Sequence, residues 1–392
     1  MEQETTDRNK TSFGDLPPEV QSMIGRYLWQ HELPVCLRVC RAWQKIFSAH
    51  LWREADLSWN RKEVEYDFVD GLKTYGHLLR SLTVRDDSLF MCSIMRSRPD
   101  FQLTSLEVHL THTGHWQPFV HFLRRGSTTG WRRLVFSVSV EQGPTYHFAA
   151  DFFEALLKHA STLEVVRLED ECYADAEGID RLLCTAPNLK VLYVSNDHKD
   201  GHAGGYLDAK AIVDSEWVCD NLEVFACEIR NIPRPDITRT ILDQPATKFV
   251  QTGTVEESLD LQYRIYSKLA RFTKLRELTL GFYYIPGNSI VVPKNRDHIR
   301  QFDCLAMTLD GGLDLLKDLT ELREVGLQDM EINIDGEQEK EWFDEHWPNV
   351  AIDNENPDED QSDSNTVDEQ SSDEEATVEE EEVPLPPPVN SE

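Results

Sequence analysis

The sequence has no lysine or arginine after Lys340, although 19 of its 71 acidic residues lie beyond that point. The first 340 residues hold all 39 basic residues against 52 acidic ones, so the body is moderately acidic and most of the net charge of −32 comes from the end. A field of that sign disfavours phosphate backbones and anionic lipid surfaces, which argues against nucleic acid or membrane as partner. The eight cysteines, at 36, 40, 92, 172, 184, 219, 227 and 304, contain no CxxC pair and no dense regular spacing. That excludes a secreted disulfide scaffold and reads as small buried hydrophobes in a reducing compartment. No run approaches the roughly 18 apolar residues of a membrane span. The opening Met-Glu-Gln-Glu-Thr-Thr lacks the basic and apolar regions of a secretory leader, so a cytoplasmic or nuclear location is expected. Missing too are a glycine-rich phosphate loop, a nucleophile elbow and an HExxH pair. His109, His112 and His115 form an HxxHxxH string, but no Cys or carboxylate stands between them, and they are read as loop residues rather than metal ligands. The chain is therefore expected to be no enzyme and to need no cofactor.

What is present begins at Asp15, with DLPPEVQSMIGRYLWQHELPVCLRVCRAWQKIFSAHLW. Pro17, Pro18 and Glu19 suit a first helical turn, where a missing N–H costs little and an acid meets the positive end of the dipole. Val20, Ile24 and Leu28 recur every four residues and predict an amphipathic helix. Pro34 is placed to open a second helix, with Leu33, Leu37, Cys40, Trp43 and Phe47 at steps of three or four. Three short helices in about 40 residues bury too little apolar surface on their own, so a partner surface is expected.

These residues resemble a known family. Leu16-Pro17, Glu19-Val20, Ile24, Leu28 and Leu33, followed by Val39-Cys40-Arg41-x-Trp43 and Trp52, are similar in type and spacing to the F-box. The resemblance covers about residues 13–54 and implies docking on a Skp-type adaptor, and through it on a cullin and a RING protein. It names Leu16, Pro17, Glu19, Val20, Ile24, Leu28, Leu33, Val39, Cys40 and Trp43 as the adaptor-facing or core set. An ordinary helical subdomain packed on the rest of the chain is the alternative.

Beyond residue 60 the hexamer apolar-x-x-apolar-x-apolar returns nine times, from LRSLTV at 79 to LREVGL at 322, at intervals of 24, 28, 32, 26, 33, 53, 29 and 18 residues. Helix-like stretches lie between copies, at 147–160, 177–187 and 255–274. The spacing is close to that of leucine-rich repeats, so residues 60–352 are expected to form an irregular α/β solenoid. Parallel strands would line its concave face and helices its outside. Asp87, Glu171, Asp197 and Met330 stand where the usual repeat has Asn or Cys, which predicts irregularity. The long interval is read as an insertion near 229–254 or a degenerate repeat, CLAMTL at 304 as a repeat strand, and EKEWFDEHWPNVAI as a capping helix and last strand.

Strand alternation then places Arg85, His109, Arg133, Arg167, Glu169, Tyr193 and Glu228 on the concave face, as candidates for binding an unidentified protein target. Their arginines and histidine point to an acidic or phosphorylated segment; a solvated face with no such role is the alternative. Residues 1–12 and the acidic 353–392, ending in PLPPPVNSE, are expected to be disordered. Thr366, Ser371 and Ser372 have acids three residues on, the pattern of acid-directed kinases, although a merely solubilising tail gives the same composition. The combined expectation is a target receptor of a Skp–cullin–F-box ubiquitin ligase, with a non-degradative interaction scaffold as the other reading.

Overall fold

Ten strands join in one sheet whose neighbours are all parallel. The computed structural model shows this over residues 13–29, 31–57, 70–85, 102–110, 117–125, 127, 129–138, 146–148, 150–170, 172–194, 205–233, 235, 253–280, 305–327, 330–332 and 337–353, which are the residues described. In order across the sheet the strands are β1 (Glu54–Leu57), β2 (Ser81–Arg85), β3 (Ser105–Leu110), β4 (Arg133–Val138), β6 (Val165–Asp170), β8 (Val191–Val194), β10 (Val224–Ala226), β12 (Glu277–Thr279), β14 (Glu324–Gly326) and β16 (Ala351–Asp353). Spatial order follows chain order, so each strand is laid beside the one before it. Parallel neighbours need a crossover. Between β3 and β12 it is supplied by α4 (Gln117–Arg125), α5 (Ala150–Leu157), α6 (Ala176–Thr185), α7 (Ala209–Asp214) and α8 (Val255–Leu269). The result is a solenoid-like strand-and-helix stack.

The hexamer dictates this packing. Its central apolar residue is carried across the strands in register, through Leu82, Leu106, Leu134, Val166, Leu192, Phe225, Leu278 and Val325, each at most 1% exposed. Burying each such side chain stabilises the stack by about 2 kcal/mol. Phe152 and Phe153 of α5, Ile179, Leu182 and Leu183 of α6, and Ile265, Tyr266 and Leu269 of α8 join the same core. Helix starts follow from local chemistry: the Asp175 and Asp208 carboxylates accept from the Gly178 and Ala211 amides, and Thr254 with Glu257 closes a capping box at α8.

Several details differ from the sequence reading. The sheet begins at Glu54, before residue 60, because β1 pairs with β2 and the Arg53 carbonyl accepts from the Arg80 and Ser81 amides. CLAMTL does not supply a strand to the large sheet. Its β13 (Ala306–Met307) pairs instead with β15 (Glu331–Ile332), while β12 pairs directly with β14. The long interval likewise adds no strand to the large sheet, since β10 pairs directly with β12 and α8 fills the step; residues 234 and 236–252 of the expected insertion lie outside the described residues. Two further short parallel pairs stand beside the sheet: β5 (Tyr146–Phe148) with β7 (Cys172–Ala174), and β9 (Tyr206–Asp208) with β11 (Glu228–Arg230). They satisfy backbone groups where the chain leaves a main strand. At the far end α9 (Glu337–His346) packs Trp342 against Phe343 and Trp347, closing the core before β16. Residues 1–12 and 354–392, including the kinase-type positions, lie outside the described residues, as do His112, His115, Asp87, Glu171 and Asp197; Met330 is buried.

One polar hub ties three connecting segments together. The Asp180 carboxylate of α6 accepts from Ser215 Oγ and from the buried Trp217 indole, both at 2.9 Å, and Lys268 of α8 lies 5.3 Å from the Trp217 ring. The Lys268 ammonium also donates to the Ser215 carbonyl at 2.6 Å and to that of Ile212. Burial lowers the Lys268 pKa against the raising field of Asp180. Asp180→Ala would strand the buried Trp217 indole N–H, while Ser215 Oγ keeps the Ile212 carbonyl as acceptor, and we expect it to cost about 2 kcal/mol, read as a lower midpoint in chemical denaturation. Of the cysteines expected to be small buried hydrophobes, Cys219 and Cys227 are buried, and burial pushes Cys219 up to about 12 and raises Cys227 as well; Cys36 and Cys184 are half-buried and Cys40 is exposed.

Candidate functional site

The N-terminal helices are α1 (Pro18–Tyr27), α2 (Leu33–Leu37) and α3 (Arg41–Leu51). Their interior is aromatic: Phe13 lies 4.6 Å from the Trp43 ring and 5.6 Å from Phe47, and Leu33 is 3% exposed. The orientation of α1 is the unusual element. Its inward positions are Gln21 and Gly25, both buried. Gln21 Nε2 donates to the carbonyls of Phe13 at 3.1 Å and Leu16 at 2.7 Å, fixing the preceding turn. Glycine at 25 lets α1 approach α3, since a Cβ there would stand 2.5 Å from His50 Cδ2. Ser22 Oγ meets His50 Nε2 at 3.3 Å, and burial with the nearby Arg26 and Arg53 holds His50 below its usual pKa.

With those residues inside, the apolar stripe of α1 faces out. Val20, Met23, Ile24 and Tyr27 follow the i, i+3, i+4, i+7 spacing of one helix face, and all four are exposed, Tyr27 at 84%. Trp29, Val35 and Val39 extend the set of exposed large hydrophobics, which among the described residues otherwise includes only Val218, Val255 and Tyr263. Such concentration marks an interaction surface.

Of the residues named from sequence, Pro17, Glu19, Val20, Ile24, Val39 and Cys40 are exposed here, and Leu16, Leu28 and Trp43 are half-buried. Leu33 belongs to the interior, because the turn before α2 directs it under the helices. Sequence reasoning missed Met23, Tyr27, Trp29 and Val35. The signal was available for the first two, which complete the stripe begun by Val20 and Ile24.

The second candidate surface is the open face of the sheet. Arg85 and Arg133 are exposed, and His109, Arg167 and Glu169 are half-buried. These bases do not gather into one patch. Glu107 accepts from His109 Nε2 at 3.1 Å and from Arg133 at 3.5 Å, while Arg167 pairs with Glu169 at 3.3 Å and lies 4.5 Å over the buried Tyr193 ring. Glu228 is not on this face at all. After Cys227 the chain leaves the large sheet to form β11, where Glu228 is 1% exposed and pairs with Arg230 Nε at 2.7 Å. Among the described residues no group of three or more His, Cys, Asp or Glu could hold a metal, and no helix is long and apolar enough to cross a membrane.

Residues 13–58 match the family described as F-box-like, so the outward-facing stripe belongs to an F-box-like domain that runs from Phe13 through β1. Among solved structures the chain is similar to one described as the crystal structure of the Rad7 and Elc1 complex in yeast, at 14% identity and a TM-score of 0.39, covering 88% of this chain and 83% of that one. No curated protein matches.

Proposed function

We propose that this chain is a substrate receptor of a Skp–cullin–F-box ubiquitin ligase. The F-box-like helices bind a Skp-type adaptor and through it a cullin and a RING protein, and the strand-and-helix stack, an irregular leucine-rich-repeat solenoid, binds the target. The chain performs no chemistry itself. It supplies proximity, which converts an encounter between target and ubiquitin-charged enzyme into an effectively unimolecular step. One observation carries the reading: in a segment of F-box-like sequence, the apolar stripe Val20, Met23, Ile24 and Tyr27 is turned away from the chain that bears it.

Affinity purification of the full chain tests this directly. The expected result is stoichiometric recovery of a Skp-type adaptor with its cullin, together with proteins whose half-lives lengthen when the chain is deleted. Recovery without an adaptor would sink the ligase assignment. An adaptor-bound chain whose deletion lengthens no partner's lifetime would make it a non-degradative scaffold.

A further inference from the structure

The strand register draws a line across the open face. Arg133 is the partner of Val165, Val165 of Val191, Val191 of Val224, Val224 of Glu277, and Glu277 of Glu324. One cation, three β-branched apolar residues and two carboxylates thus stand side by side on six successive strands. At about 4.8 Å per strand, the row is roughly 24 Å long, the reach of about seven residues of extended peptide. The three valines and two glutamates are half-exposed and Arg133 is exposed, so the row is open to a partner.

Its acidic end is poorly arranged for the chain alone. Like charges directly opposite on adjacent strands are destabilising. Burial raises the Glu277 pKa, Glu324 raises it further, and Arg167 opposes them only in part. A separate group points to a ligand at the same place. Thr279, two residues on from Glu277 and on the same face, is 2% exposed, and its Oγ1 makes no hydrogen bond. Its register partner is Gly326, and Thr279 Oγ1 lies 2.9 Å from where a Gly326 Cβ would stand. Thr279 Cγ2, at 2.8 Å from the same point, packs there as well, so the side chain stands against the bare Gly326 backbone, two residues along the strands from the two carboxylates. Two carboxylates fall short of the six to eight oxygens of a calcium site or the octahedron of magnesium. They suit the donors of an ammonium or guanidinium group, which brings its own stem to lie on the valines.

We propose that this row is a target-binding subsite for an extended segment of a partner protein in which a lysine or arginine seats over Glu277 and Glu324, apolar residues cover Val165, Val191 and Val224, and an acid lies toward Arg133. The inference rests on the reading of the stack as the target-binding part of a receptor. It differs from a preference for purely acidic or phosphorylated segments, because the deeper contact takes a cation.

The test is selection from a display library of random nonapeptides by the full chain, followed by fluorescence polarisation of the enriched peptides. Lysine or arginine next to apolar residues is expected among them. Glu277→Gln with Glu324→Gln should weaken those peptides at least about tenfold, as charge-assisted hydrogen bonds are lost, with an unchanged or higher thermal midpoint. Glu321→Gln, which removes a partner of Arg276 outside the row, should have no effect. Adaptor capture is measured on the same variants. A basic selection that survives the double substitution, a selection with no basic residue, or binding that disappears on adding EDTA would each overturn the subsite while leaving the receptor reading in place. A chain that captures the adaptor but selects no peptide and no target would remove both.

Discussion

Met23→Glu with Ile24→Glu is expected to lower affinity for a Skp-type adaptor by at least about 100-fold while leaving the thermal midpoint of the chain nearly unchanged. Both side chains lie on the exposed face of α1, at 54% and 37% exposure, so neither supports much of the folded chain. Glutamate is a good helix former and adds no strain at these positions. In a complex the same side chains would sit at the centre of the stripe. Central apolar anchors in interfaces commonly cost about 2 kcal/mol or more when truncated. Two together therefore exceed a hundredfold, since each tenfold is about 1.4 kcal/mol. A buried carboxylate without a partner adds a desolvation cost. The contrast with Gly25→Ala is informative. That substitution forces His50 away from α1 and should reduce both stability and adaptor capture, whereas the double glutamate separates the two. Surface plasmon resonance against purified adaptor, with circular dichroism on the same samples, reads both quantities. Retained affinity would show that the outward stripe is not the docking face.

How far the sequence announced these features depended on what each residue has to satisfy. Eight of the nine hexamers became strands of the large sheet, because a residue that must be buried at a fixed place in every repeat leaves a periodic imprint. CLAMTL carried the same imprint and went elsewhere: Leu305, Ala306 and Met307 are just as buried, but in a side pair, and periodicity reports burial without reporting the neighbour. β1 was missed for the converse reason, since Glu-Ala-Asp-Leu has only two apolar positions and its pairing is decided by backbone bonds to β2. At α1 the stripe was legible but its direction was not. Gln21 and Gly25 lie inside only because Phe13, Leu16 and His50 offer two carbonyls and a flat ring there, and those contacts are tertiary. Glu228 failed for a similar reason: alternation carries a face along a strand but not around the corner at Cys227. The row from Arg133 to Glu324 was invisible until register was known, since its six residues come from six separate repeats.

The largest expected loss of stability comes from Trp131→Ala. Trp131 is fully buried at the entrance to β4 and holds three segments together. Its indole N–H donates to the Leu123 carbonyl of α4 at 3.0 Å, and its ring lies 5.9 Å from Phe122 and 6.4 Å from His159 of the following repeat. Its own carbonyl accepts from Thr162 Oγ1 at 2.7 Å, and His159 Nε2 donates to the same Leu123 carbonyl at 3.0 Å. Gly130, at φ 90°, admits Thr162 where a Cβ would stand 2.4 Å from its hydroxyl oxygen. Truncation leaves a cavity between two repeats, at a cost of about 3–5 kcal/mol and a fall in midpoint of roughly 5–10 °C. The position matters as much as the size. A stack coupled only between neighbours unfolds as one unit while each interface outweighs the intrinsic instability of a repeat. Weakening the β4–β6 junction should therefore broaden or split the melting transition, with the β1–β4 side losing structure first because it has fewer repeats to lean on. Protonation offers a milder probe of the same junction. Burial holds the His159 pKa below its usual 6.5, so the neutral ring's contribution is complete above about that pH and is lost as pH falls through the depressed value. Hydrogen exchange by mass spectrometry, comparing peptides from β2 to β4 with those from β8 to β12, distinguishes a split transition from a uniform shift. A uniform shift would mean that the ten strands melt as a single cooperative body even with this junction opened.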